Sequence, residues 1–260
     1  MRWIRFERNG GESFGILEGE VVQPVGGSPF GRWEKAGVRV PLASIKLLPP
    51  VMPRTFYACG LNYVGHLKGA STATGTTFKA PTAPDIGYRA NNALIAHDEP
   101  IVIPRDAGEK VQYEGELVVV IGKQAKHLTE ANALSCVFGY TIGNDVSERS
   151  WQGNDRTLWR AKNTDTFKPM GPWIETDVDL DKLVTIVRVN GREMIRFSTN
   201  HMLFGIATYL SAMSRYLTLY PGDVVWMGTD GEPSNIKHGD VVEVEISGVG
   251  VLRNPVIREN

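Results

Sequence analysis

The sequence predicts a mainly β fold of the α+β class, with a small N-terminal β unit over residues 1–50 and a larger domain over 51–260. Three observations predict it. The 28 glycines and 15 prolines fall largely between short β-branched runs, the punctuation of a strand-rich chain. The run Leu117-Val118-Val119-Val120-Ile121 is apolar without alternation, the mark of a strand buried on both faces. Asn190-Gly191 lies between two apolar runs, the strongest short hairpin signal. A chain of 260 residues suffices for one substantial core with a small appended unit.

The elements follow in order. Trp3–Phe6, Ser13–Leu17 and Val21-Val22 read as short strands, with Glu18-Gly19-Glu20 as a turn. The Pro-rich stretch through Pro49, Pro50 and Pro53 marks the boundary. Residues 55–63 read as a buried strand leaving into a turn at Gly60-Leu61-Asn62. Residues 69–77 are small and polar, the composition of a loop. Ile101–Ile103 is a strand stopped by Pro104. Residues 113–121 are the clearest strand. Thr129 with Asn132 opens an imperfect capping box over 129–136, and Val137–Gly143 returns as a strand. Val184–Val189 and Glu193–Phe197 are the arms of the hairpin. Residues 201–216 carry Leu203, Ile206, Leu210 and Met213 at helical spacing and predict one amphipathic helix. Val224–Met227 and Val241–Ile246 close the list.

Composition narrows the function. Hydrophobic residues make up 42% and charged residues 22%, ordinary for a globular chain, and the formal net charge is −1. No global field recruits nucleic acid or an anionic membrane. No apolar run approaches the length of a membrane span, and the N-terminus lacks a signal-peptide core. Two cysteines, Cys59 and Cys136, form no CxxC pair, so a reducing cytoplasm is the expected location.

The chemistry starts from Glu114 and Glu116. Two apart on a strand, they point to one face, and the apolar run behind them places that face at the mouth of the core. Alone, the pair reads first as an exposed strand mouth or a Glu–Arg pair. Buried together, the two carboxylates repel unless one takes up a proton or a cation joins them. Asp145, at the end of another apolar strand, is the natural third acid, and an all-oxygen set suits Mg²⁺, Mn²⁺ or Ca²⁺.

Further motifs line up with this pair. They are Gly60-Leu61-Asn62-Tyr63-Val64-Gly65-His66, Tyr113-Glu114-Gly115-Glu116-Leu117 and Gly139-Tyr140-Thr141-Ile142-Gly143-Asn144-Asp145. Lys162 then precedes Asp165-Thr166-Phe167-Lys168-Pro169, and Tyr220-Pro221-Gly222-Asp223 precedes Gly228-Thr229. From about residue 50 onward this ordered set resembles the fumarylacetoacetate hydrolase family, in its short bacterial form with a small N-terminal domain.

The resemblance implies a roll of mixed β-sheets, usually as a homodimer. It implies Glu114, Glu116 and Asp145 as ligands of Mg²⁺ or Mn²⁺, with Lys162 beside the metal. It implies Arg149, Gln152 and Thr229 as contacts of an oxo-acid substrate, and His66 as the base or water activator. It places Arg89, where the family often has lysine, and Asp230, where it often has proline, near the pocket wall. The alternative for Arg149 is a scaffold ion pair with Glu148 or Asp155. In the family the His66 position often works with a glutamate three residues on; here that residue is Gly69.

The functional expectation is a divalent-metal-dependent enzyme that hydrolyses a C–C bond of a small 2-oxo or diketo acid, as in aromatic catabolism. An isomerase, tautomerase or decarboxylase of a 2-hydroxydienoate or oxo-acid is the alternative, and Gly69 favours it. A non-catalytic metal-dependent binding protein is the third reading.

Overall fold

The computed structural model describes residues 1–67, 71 and 79–260. The Gly69 position and most of the expected 69–77 loop lie outside the described residues. Among the described residues two large sheets carry the fold, one of 13 strands and one of five. Through the larger sheet the order runs Trp33–Lys35, Val21–Gly27, Gly11–Glu18, Arg2–Arg8, Lys168–Glu175, Val137–Asn144, Gly115–Ile121, Val224–Trp226, Phe56–Cys59 and Ile86–Tyr88. The N-terminal strands therefore extend the main sheet: Arg2 and Trp3 pair with Glu175 and Ile174. The five-stranded sheet runs Ile101–Ile103, Gly250–Arg258, Val241–Ile246, Val184–Val189 and Arg192–Ser198.

The Gly115–Ile121 strand has every residue buried, as its apolar run predicts. Leu117, Val119 and Ile121 face one core with Val187, Val244, Leu252 and Tyr209. Val118 and Val120 face a second core with Phe56, Met170, Val224 and Trp226. Period-2 alternation thus joins two hydrophobic layers through one strand. Gly143, across from Glu116, is packed so closely by the Trp226 ring that an added Cβ would lie 2.5 Å from it. The hairpin forms as expected, with Asn190 and Gly191 at φ 53° and 75°, both in the left-handed region that a tight turn of this hand requires.

Four expectations shift. Glu114 lies just outside the strand ladder, because its N–H donates to Asn144 Oδ1 at 2.9 Å and not to a backbone carbonyl. The helix expected from residue 129 is only a 3₁₀ turn over Ala133–Cys136. There Asn132 Oδ1 accepts the Thr129 N–H at 2.8 Å, closing a local turn that competes with the helix. The amphipathic helix spans Ile206–Tyr216, starting five residues late. Asn62 accounts for the delay: its backbone and side-chain oxygens take the N–H groups of Leu203 and Phe204. Lys168–Glu175, cited above only as part of a motif, is a central strand of the larger sheet. Among the described residues no helix is long and apolar enough to cross a membrane.

Candidate metal centre and active site

The site is built where two neighbouring strands run out. Gly115 pairs with Asn144 at the last register step, and the Asp145 N–H continues the ladder to the Glu114 carbonyl at 2.8 Å. Three carboxylates emerge side by side from this edge. Glu114, Glu116 and Asp145 are each 3% exposed or less, and one oxygen from each lies within 4.8 Å of the others.

Cations surround two of the three. Arg149 Nη2 donates to Glu114 Oε1 at 2.5 Å, and Lys162 Nζ spans Glu114 Oε2 at 2.6 Å and Asp145 Oδ2 at 2.9 Å. Arg89 grips Asp145 through Nε and Nη2, the latter at 2.8 Å, and Lys168 Nζ reaches Asp145 Oδ1 at 2.7 Å. Arg149 is also tied to Gln112 and Gln152 at 2.8 and 2.9 Å, so its alternative pairing with Glu148 or Asp155 is replaced by Glu114. Those two acids build the loop instead. Glu148 caps the helical turn Arg149–Gln152 through the Trp151 N–H. Asp155 accepts the N–H groups of Arg160 and Ala161, which folds residues 155–162 so that Lys162 points inward.

Glu116 is different. Gly228 N–H donates to its Oε2 at 2.8 Å, and no cation forms an ion pair with it among the described residues. Burial, then the charges of Asp145 and Glu114, push its carboxyl up to about 8. Glu114 overcomes its own burial through Lys162 and Arg149 and is lowered to about 2. Asp145 also overcomes its burial, through Arg89, Lys162 and Lys168, and is held well below the usual range. A buried acid with no counter-charge, facing two ionised ones, suits a hard dication: the cation would share three oxygens and displace the Glu116 proton.

His66 sits on the helical turn over 64–67, with Nε2 3.4 Å from Glu114 Oε1. Its Nδ1 is buried with no well-formed hydrogen bond among the described residues, although the Gly231 backbone lies close enough to favour the charged ring weakly. Burial is the main cause that lowers its pKa, and Arg149 and Lys162 add to it against Glu114. This direction favours the neutral imidazole, the form able to accept a proton.

These groups line one cavity of about 420 Å³. His66, Arg89, Glu114, Glu116, Asp145, Arg149, Gln152, Lys162 and Thr229 all border it, so every site residue picked from the sequence comes together. Asp230 does not border it. Its Oδ1 instead accepts the N–H groups of His66 and Gly231 at 3.1 and 2.8 Å. Two further residues matter. Lys168, fully buried, holds Asp145 and donates to the Val146 and Phe167 carbonyls; its place in the Asp165–Pro169 motif is its sequence signal, without a role attached. Arg156 borders the cavity with no ion pair among the described residues, and nothing in the sequence separates it from a surface arginine.

Comparison with known proteins identifies the family. The model described as fumarylacetoacetate (FAA) hydrolase C-terminal matches residues 55–257, and the one described as Rv2993c-like, N-terminal, matches residues 1–50. The crystal structure of 5-carboxymethyl-2-hydroxymuconate delta-isomerase from Mycobacterium smegmatis is 38% identical, each chain covered in full, with a TM-score of 0.90. That of 2-hydroxyhepta-2,4-diene-1,7-dioate isomerase from Mycobacterium marinum is 35% identical, covering 100% of this chain and 99% of that one, with a TM-score of 0.89. A mitochondrial oxaloacetate tautomerase of Rattus norvegicus is 32% identical over 84% of this chain and 71% of its own. The chain belongs to the fumarylacetoacetate hydrolase family, in its short form with an Rv2993c-like N-terminal region, and is an enzyme of that family.

Proposed function

We propose that this enzyme moves a proton on a small 2-oxo or 2-hydroxydienoic dicarboxylic acid, acting as an isomerase or tautomerase with Mg²⁺ or Mn²⁺ held by Glu114, Glu116 and Asp145. The carrying observation is His66. Proton transfer needs one base beside the substrate; C–C hydrolysis needs an activated water as well. Burial favours the neutral form of the His66 ring, and among the described residues the one carboxylate paired with that ring is Glu114. The named activities of the isomerases and the oxaloacetate tautomerase above support the same reading.

The bound ion would supply positive charge to the keto and carboxylate oxygens of the oxo-acid and to the enolate that develops. The chain does the rest. His66 takes a proton from the carbon beside the carbonyl and returns it at another carbon or oxygen. Lys162 and Arg149 keep Glu114 ionised, and Arg89 and Lys168 do so for Asp145. Gln152 and Thr229 present polar groups to the substrate from the cavity wall. With the dication bound and Glu116 ionised, Arg89, Arg149, Arg156 and Lys162 balance the four carboxylates of the wall and the ion leaves it net positive, which draws in a dianion. Among the cavity's cations, Arg89, Arg149 and Lys162 already hold carboxylates, so Arg156 is the group left to meet a second substrate carboxylate.

The test is to follow enol-to-keto conversion of oxaloacetate and the fate of an acylpyruvate, each with Mn²⁺, counting product carbons. Conversion of the dicarboxylate without carbon loss is expected. His66→Ala should slow it by about 100-fold or more while metal-dependent thermal stabilisation survives. Acylpyruvate cleavage at a comparable or faster rate would overturn the isomerase reading in favour of hydrolysis.

A further inference from the structure

We infer that Asp230 is a positioning residue for His66, and that Gly65 is glycine so that Asp230 can reach the turn carrying that histidine. This inference rests on the assignment of His66 above.

Helical backbone begins at Val64, where the first amides have no carbonyl of their own helix to bond. The Leu67 N–H reaches the Tyr63 carbonyl at 3.2 Å, which leaves the preceding amides without partners inside the turn. Neighbouring segments hold it. Asn62 Nδ2 donates to the Met227 carbonyl at 3.0 Å and to the Phe204 carbonyl at 3.1 Å. Tyr63 Oη donates to the Thr199 carbonyl at 2.6 Å. These three contacts anchor the start of the turn, not His66. At His66 the anchor is Asp230 Oδ1, which accepts its N–H at 3.1 Å while accepting the Gly231 N–H at 2.8 Å.

Asp230 therefore does from a distant loop what a capping side chain does from within a helix. The same loop holds the metal edge, because the Gly228 N–H donates to Glu116 at 2.8 Å. Residues 228–231 thus fix His66 at one end and Glu116 at the other, setting the base against the carboxylates. The approach has a steric condition. A Cβ on Gly65 would lie 2.4 Å from Asp230 Oδ1 and 3.2 Å from the Gly231 nitrogen, so any side chain there displaces the brace.

Glycine-to-alanine in a helical turn is ordinarily favourable, so this geometry and simple propensity predict opposite outcomes at residue 65. The variants are Asp230→Ala, Asp230→Asn, Gly65→Ala and the double Gly65→Ala/Asp230→Ala, each in the full-length protein. Two readouts are used: kcat and KM for oxaloacetate enol–keto conversion with Mn²⁺, and hydrogen exchange of the His66 amide. Asp230→Ala and Gly65→Ala should each lower kcat by about tenfold or more with KM within about twofold, as a misplaced base does. Each should also speed His66 amide exchange by about tenfold. The double variant should lose no more than either single. Asp230→Asn keeps the accepting oxygen and should restore both readouts to near wild type. Metal-dependent thermal stabilisation should persist throughout, since the Gly228 contact remains.

Unchanged kcat and exchange in Asp230→Ala would overturn the brace. So would a neutral or improved Gly65→Ala, or an Asp230→Asn as damaged as the alanine variant. If the wild type turns over no oxo-acid, the proposed function fails by itself, and the amide-exchange series still decides the brace.

Discussion

The N-terminal strands and the cavity edge pair the same kinds of side chain under different solvation. In the N-terminal region Arg5 meets Glu12 and Arg39 meets Glu18; both residues of the second pair are about half exposed. At the cavity edge, Glu114 and Asp145 meet Arg89, Arg149, Lys162 and Lys168 with every partner 7% exposed or less. Water screens the first set, so each pair contributes at most about 1 kcal/mol. In the second, each charge relies on its neighbours, and removing one strands the others. Burial, not the number of ion pairs, determines which charges this protein cannot lose.

The comparison breaks most visibly at Asp145. Asp145→Ala leaves Arg89, Lys162 and Lys168 facing one another with one carboxylate fewer. We expect a loss of about 3–5 kcal/mol, read as a fall in thermal midpoint of about 10 °C or more. A loss no greater than at a surface pair would show that solvent reaches the cluster.

Glu116 gives the next effect, with a sign that depends on pH. Its carboxyl is raised to about 8 when folded, so its contribution is fully present below the ordinary value near 4.5 and is lost as pH rises through 8. Glu114 and Asp145 are depressed, so their contribution holds above the ordinary carboxylate range and fades only in acid. Without metal, Glu116→Gln should therefore raise the thermal midpoint by about 3 °C or more at pH 8 and change it little at pH 5. The same variant should abolish the rise that Mg²⁺ or Mn²⁺ produces in the wild type. A retained metal response would sink the assignment of Glu116 as a ligand.

The smallest effect tests the exposed side. Arg39→Ala should shift stability by less than about 1 kcal/mol, measured by urea unfolding in low salt. A larger loss would mean that the pair with Glu18 is not screened as its exposure implies.

Much of the site was legible because its residues declare themselves locally. A spacing of two on a strand puts Glu114 and Glu116 on one face, and an apolar run behind them makes that face a core edge. The helix limits and the failed 129–136 helix were less legible. In one case Asn62, remote in sequence, takes the amides of Leu203 and Phe204; in the other Asn132 closes a turn on Thr129. The roles of Lys168 and Asp230, both named in the sequence reading, were hidden for the same reason. A buried lysine or a bracing aspartate has meaning only through partners that sequence distance hides.

By itself the sequence determined the strand-rich class, the hairpin at Asn190-Gly191, the three-acid set and the family, because periodicity, turn chemistry and ordered motifs are short-range features. Only the tertiary structure decided which acids are paired and which is left without a cation, and that Asp230 faces the His66 backbone and not the cavity. The physical reason is that a charge's state depends on burial and on neighbours within a few ångströms. Here those neighbours come from segments that lie up to 164 residues apart along the chain.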